Sequence, residues 1–212
     1  MPKIIGESLA SHRELTRARL FEALGSLMGE QSFESITMSQ IAERAGVGRT
    51  AVYNHFADKE VLLLAYMREV TSEFARILTQ RLDAEPDPLM RLRIYVRSHL
   101  QMIGRYHVKA GMGLRRQMSG QGASHLHDHA GIVGELLIGI LDEAMERGLI
   151  VEQNTLGAVH LIHATLQGQR LPQDPAHRES ALLLVETFIL RGLGASEENV
   201  HQVTASSLVL GE

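Results

Sequence analysis

Residues 36–60, I-T-M-S-Q-I-A-E-R-A-G-V-G-R-T-A-V-Y-N-H-F-A-D-K-E, constrain the fold more than any other stretch of the chain. They predict two short helices joined by a tight turn. Thr37 is an N-cap residue, and Gln40 stands three places on, where its side chain can complete a capping box. Met38, Ile41, Ala42 and Ala45 recur at helical spacing, which leaves Ser39, Gln40, Glu43 and Arg44 on the outer side. Gly46 ends this helix, because the residue past a helix end usually takes the left-handed conformation that glycine adopts without strain. Val47 can tuck between the helices, and Arg49 opens a second helix that runs to about Phe56.

The second helix turns Val52 and Phe56 inward and Arg49, Thr50, Tyr53, Asn54 and His55 outward. Its solvent face is thus full of hydrogen-bond donors and short side chains. A helix-turn-helix that reads DNA has this layout: the second helix lies in the major groove and the first crosses the backbone. Asp58 caps a third helix with Lys59 in its first turn. A cation there opposes the helix dipole, which predicts an outside partner such as a phosphate.

Three blocks with their spacing make the chain resemble the TetR family of bacterial transcriptional repressors. They are T-M-x-x-I-A-x-x-A-G-V at residues 37–47, V-Y-N-H-F at 52–56 and D-K-E-x-L-L at 58–63. The resemblance implies that Thr37, Gln40, Arg49, Thr50, Tyr53, Asn54, His55 and Lys59 face DNA, with Thr37, Tyr53, His55 and Lys59 on phosphates. One departure stands at Gly48, where the family usually has a hydroxyl side chain. As a cap, Gly for Ser costs only a few tenths of a kcal/mol, but one hydroxyl that could hold a phosphate is gone.

Composition neither demands nor forbids this reading. Net charge is −4, and residues 1–60 hold seven Lys/Arg against eight Asp/Glu. Placement outweighs the sum, since phosphate attraction is screened within about 8–10 Å: Arg44, Arg49 and Lys59 belong to the expected DNA face, while Glu22, Glu30 and Glu34 belong to the first helix and its exit. The apolar fraction of 44 % supports a substantial core. The absence of Cys excludes disulfides, thiolate metal sites and a Cys nucleophile, and fits a reducing cytoplasm. The first residues are too polar for a signal peptide, and no apolar run approaches the roughly 20 residues that span a bilayer.

The rest of the chain reads as helices. Residues 1–10 are expected as a loose arm, followed by an amphipathic helix from Ser11 to about Gly29 with Leu20, Phe21, Leu24, Leu27 and Met28 as its stripe. A long helix from Asp58 to about Leu82 leads to a break at Asp83–Pro88, since proline cannot continue a helix. Further helices are expected at about 88–106, 108–118, 124–147, 154–168 and 174–191. The expected fold is all-α. A helix-turn-helix domain spans 11–60, with its motif at 37–56. A larger ligand-sensing and dimerisation domain spans 61–195, and 196–212 form a flexible tail.

The final expected helix is apolar nearly all round, so something must cover its outer side. That predicts a two-fold dimer through the last two helices, with Leu156, Val159, Ile162, Leu184 and Phe188 at the interface. The resemblance implies the same pair of helices. Seven Lys/Arg and no acid lie between Asp87 and Asp128, and several Met residues can line an adaptable cavity there. Arg97, Met102, Tyr106, Met118 and His129 are the candidate lining of a pocket for an unidentified small molecule. His125, His129, His160 and His163 could meet around a metal, but surface or local hydrogen-bonding roles suit them better, so no metal and no cofactor is assigned.

No strand–turn–helix nucleophile elbow, phosphate-cradling Gly loop or metal-protease spacing is present, which argues against an enzyme. The sequence therefore predicts a cytoplasmic, homodimeric repressor whose partners are palindromic operator DNA and a small-molecule effector. The rival is a helical protein-interaction module without DNA binding.

Overall fold

The computed structural model describes the backbone of residues 3–106, 121–206 and 208, with side chains for 11–102, 133–206 and 208. Within them the chain is all-helical. The helices are α1 (Lys3–Glu30), α2 (Met38–Ala45), α3 (Arg49–His55), α4 (Lys59–Asp83), α5 (Pro88–Tyr106), α6 (Gln121–Glu146), α7 (Thr155–Gln167), α8 (Pro175–Gly192) and α9 (Glu197–Ala205). A short 3₁₀ turn, Phe33–Ser35, precedes α2. The helix expected at 108–118 lies outside the described residues.

Two differences from the sequence reading stand at the ends. The expected arm at 1–10 is helical from Lys3 onward, as one continuous α1. The expected flexible tail contains α9, capped by Ser196 and anchored by buried Val200 and Val203. Two apolar residues three apart are enough to dock a single short helix on a core, and such a sparse signal is easily read as a polar tail.

The chain divides into two compact units, and one boundary between them falls within α4, between Val70 and Thr71. In the first unit, α1 buries Leu20, Phe21, Leu24, Leu27 and Met28, the stripe read from the sequence. They meet Phe33, Ile36, Ile41, Val52 and Phe56, also buried, and Leu62, Leu63 and Tyr66 from the start of α4. Phe21 packs on Phe56 and on Tyr66 with both ring centres 5.9 Å away. Gly25 makes room for Tyr66, since a Cβ there would stand 2.8 Å from its hydroxyl.

In the second unit the core joins Phe74, Leu78 and Leu82 of α4 to Leu92, Tyr95, Val96 and Leu100 of α5. Leu137, Ile140 and Leu141 of α6, Val159, Ile162 and Leu166 of α7, and Val185 and Ile189 of α8 complete it. A buried ionic cluster crosses this core. Glu186 of α8 receives Arg93 at 2.9 Å and also pairs with Arg97, while Arg97 reaches Glu179 at 2.6 Å. The same arginines hold the chain end: Arg93 donates to the carbonyls of Val203 and Ser206, and Arg97 to that of Leu208.

Candidate nucleic-acid interface

The turn between α2 and α3 is built as the sequence requires. Thr37 and Gln40 close the capping box: Gln40 N–H donates to Thr37 Oγ1 at 3.3 Å, and Thr37 N–H donates to Gln40 Oε1 at 2.8 Å. Gly46 takes φ 66°, ψ 34°, the left-handed conformation, and lets Val47 N–H reach the Ala42 carbonyl at 3.0 Å. Gly48 opens α3 without a side-chain cap. On α3, Val52 and Phe56 are buried, whereas Arg49, Thr50, Tyr53 and Asn54 are exposed and His55 is half-buried. Burial of one side thus fixes the rotation of α3 and aims the other at solvent. Arg49 makes no ion pair among the described residues.

Several expected contact residues are committed within the unit. Thr37 Oγ1 also donates to Gln40 Oε1 at 2.9 Å, so its one hydroxyl proton is spent on the cap. Gln40 Oε1 is likewise occupied. Arg44 forms a two-pronged pair with Glu30, both contacts at 2.8 Å, and reaches Ser26 at 2.6 Å. Lys59 is held within the unit too. Its ammonium donates to the carbonyls of Phe33 at 3.1 Å, Glu34 at 2.8 Å and Ile36 at 2.9 Å. An ammonium has three protons, and all have partners inside the protein. The dipole argument expects an outside partner such as a phosphate for this cation; in the DNA-free chain its partners are the carbonyls in and just after the 3₁₀ turn.

Residues 20–66, from the second half of α1 into the start of α4, match the family described as bacterial regulatory proteins, tetR family. These residues are similar to the N-terminal DNA-binding domain of that family. The chain is 35 % identical over 97 residues to the HTH-type transcriptional regulator BetI of Burkholderia ambifaria (strain MC40-6), covering 45 % of this chain and 47 % of BetI. The chain thus spans about half the length of the curated relatives it matches. A bacterial regulatory protein in the tetR family from Rhodococcus RHA1 shares its fold with a TM-score of 0.74 at 20 % identity, over 86 % of this chain and 98 % of that one. AibR, solved with isovaleryl coenzyme A and operator DNA, gives a TM-score of 0.69 at 17 % identity, over 82 % and 97 % of the two chains.

The second unit carries the expected interface residues. Of the five interface candidates, Leu156, Leu184 and Phe188 are 59 %, 71 % and 63 % exposed, and Leu161 joins them at 72 %. Val159 and Ile162 are instead buried in the unit's own core, because α7 turns that side to its neighbours. A depression of about 340 Å³ lies on α8 among Leu184, Thr187, Phe188, Arg191 and Gly192.

Of the pocket candidates, Arg97 is buried and bound to two glutamates and a carbonyl, so it is not a free cation awaiting an anionic ligand. Met102 is half-buried against the core. Met118 lies outside the described residues, as do the side chains of Tyr106 and His129. The side chain of His125, a metal candidate, also lies outside the described residues. Among the described residues no three metal-ligating side chains gather.

One cluster went unread in the sequence. Tyr95 Oη and His163 Nε2 are 2.7 Å apart, and His99 stacks on His163 with ring centres 5.5 Å apart. Burial, followed by the charge of His163, pushes His99 down to about 3; burial, followed by His160, also lowers His163. Both imidazoles are therefore neutral at pH 7. The buried Nδ1 of His99 has no hydrogen-bond partner among the described residues. The four-residue step from Tyr95 to His99 was the available signal, since it puts both rings on one helix face.

Proposed function

We propose that this chain is a DNA-binding transcriptional repressor that acts as a homodimer and is released from its operator by a small molecule. The observation that carries the reading is α3: Arg49, Thr50, Tyr53 and Asn54 stand exposed on a helix whose rotation is set by buried Val52 and Phe56. Arg49 and Asn54 are suited to base edges, Arg to guanine and Asn to adenine. Thr50, Tyr53, His55 and the half-buried Gln40 complete the contact surface. Relatives such as BetI are named as regulators, which favours this reading over catalysis. The exposed leucines and Phe188 of α7 and α8 support a second copy as the dimer partner.

A two-fold dimer must hold its reading helices about 34–36 Å apart, one turn of DNA. Helix α4 contributes residues to both units, so it is the element through which an effector would alter that spacing. A hundred-fold preference of the effector for the misplaced state corresponds to about 2.7 kcal/mol. The test is a mobility shift with duplexes from upstream of the protein's own and neighbouring genes, over a salt series. Binding that weakens steeply with salt supports the regulator. Failure to bind any of them, or a duplex selected in vitro, favours the protein-interaction module.

A further inference from the structure

Arg13, Arg17 and Phe21 recur every four residues and so line one face of α1. The contacts of Phe21 show where that face points. Its ring meets Phe56, just past the end of α3, with centres 5.9 Å apart, and the ring of His55 is 6.2 Å from that of Phe56. The Arg17 guanidinium stands 5.1 Å from the centre of the Phe21 ring. The face of α1 therefore runs past the C-terminal end of the reading helix, with Arg13 one turn beyond Arg17. Arg17 is held by Glu69 at 3.3 Å. Arg13 is exposed and makes no ion pair among the described residues, and His12 is exposed beside it.

The charges around His55 agree with that placement. Burial first, and then Arg13, lower its proton affinity; His12 and Arg17 act in the same direction, and Glu14 opposes them. Positive charge thus gathers at this edge of α3 with Glu14 and Glu69 as the opposing acids. Meanwhile Arg44 and Lys59, two of the three cations expected on the DNA face, are bound within the unit.

We propose that Arg13, with His12 beside it, binds a backbone phosphate of duplex DNA flanking the base pairs read by α3, so that α1 adds an electrostatic contact beside the reading helix. The inference rests on the first unit being DNA-binding. Each phosphate neutralised releases condensed counterions and contributes about 0.9 to the slope of log affinity against log salt.

The experiment uses the full chain and a duplex selected in vitro by the wild-type protein. Binding is measured over a salt series for the wild type, Arg13→Ala, Arg13→Lys and Arg19→Ala, the last removing an exposed arginine from another face of α1. Arg13→Ala is expected to flatten the slope by about one unit, while Arg13→Lys and Arg19→Ala keep it. Urea denaturation should be unchanged in Arg13→Ala, because the side chain is exposed. An unchanged slope in Arg13→Ala, or an equal loss in Arg19→Ala, overturns the inference while leaving the regulator intact. If the wild type binds no duplex in a salt-dependent way, the DNA-binding reading itself falls.

Discussion

Lys59 donates from Nζ to the carbonyl oxygen of Phe33 at 3.1 Å, and the same ammonium lies 4.9 Å from the centre of the Phe33 ring. The first turn of α4 is thereby fastened to the segment that leads into α2. Lys59→Met keeps much of the stem and removes the charge, leaving three carbonyls without their donor. Hydrogen bonds to a charged group contribute about 1.5–3 kcal/mol each, and water can replace part of this at a half-buried site; a net loss of about 2 kcal/mol is expected. Urea denaturation of the full chain measures it. The salt slope of DNA binding by the folded variant should match the wild type, and a slope reduced by one unit would return Lys59 to the phosphate role.

The contrast between Lys59 and its surroundings shows what a sequence can carry. The capping box at Thr37, the stop at Gly46 and the inward pair Val52 and Phe56 are local rules, and each was legible because its partners lie within a few residues. Lys59 meets carbonyls 23 to 26 positions away, a pairing that no local pattern encodes. The same holds for Arg97 and Glu186, 89 positions apart, so Arg97 looked like a candidate for an effector. Apolar periodicity placed Val159 and Ile162 correctly on a helix, but it could not distinguish the protomer's own core from a face left for a second copy.

Glu186 is fully buried between two arginines, and its removal should be felt at the far end of the chain. Glu186→Gln preserves shape but leaves Arg93 and Arg97, among the described residues, with only the half-exposed Glu179 as a counter-charge. Breaking one side of a buried ion pair costs about 3–5 kcal/mol. Because the same guanidiniums donate to the carbonyls of Val203, Ser206 and Leu208, α9 should loosen with them. Hydrogen exchange should show the amides of Glu197–Ala205 losing protection while those of α2 and α3 keep theirs. Unchanged protection in α9 would separate the chain end from the ionic cluster.

His99 should make the second unit acid-sensitive. Its imidazole binds a proton near 6.5 when unfolded and only near about 3 when folded, chiefly because it is buried. Between these values the unfolded chain holds more protons than the folded one, so stability rises with pH across that window. The contribution is complete above about pH 6.5 and is lost as pH falls toward 3, with a slope of up to about 1.4 kcal/mol per pH unit. His163, lowered in the same direction, adds to it. His99→Phe retains a ring and removes the titration. Urea midpoints measured from pH 7.5 to 4.5 (about three decades of proton activity) should fall less steeply in this variant. An identical acid limb in the two proteins would exclude His99 as its source.

Leu184 and Phe188 stand one turn apart on α8 and are 71 % and 63 % exposed, while Ile162 on α7 is 4 % exposed. Glutamate at these positions should therefore have different consequences. Leu184→Glu or Phe188→Glu places a charge on a face that the protomer does not use for its own core. Each variant should keep its urea midpoint in the dissociated state and sediment as a folded monomer where the wild type is a dimer. Ile162→Glu instead buries a charge among Leu182, Val185 and the rest of the core, and it should unfold the second unit rather than only separate the copies. On the proposed dimeric reading, loss of the dimer would also halve the DNA contact, since a palindromic site presents its half-sites to two reading helices. The two monomeric variants should then lose operator affinity despite an intact α3. Sedimentation velocity at micromolar concentration decides the matter: a monomeric wild type, or dimers in both Leu184→Glu and Phe188→Glu, would remove this face as the site of association.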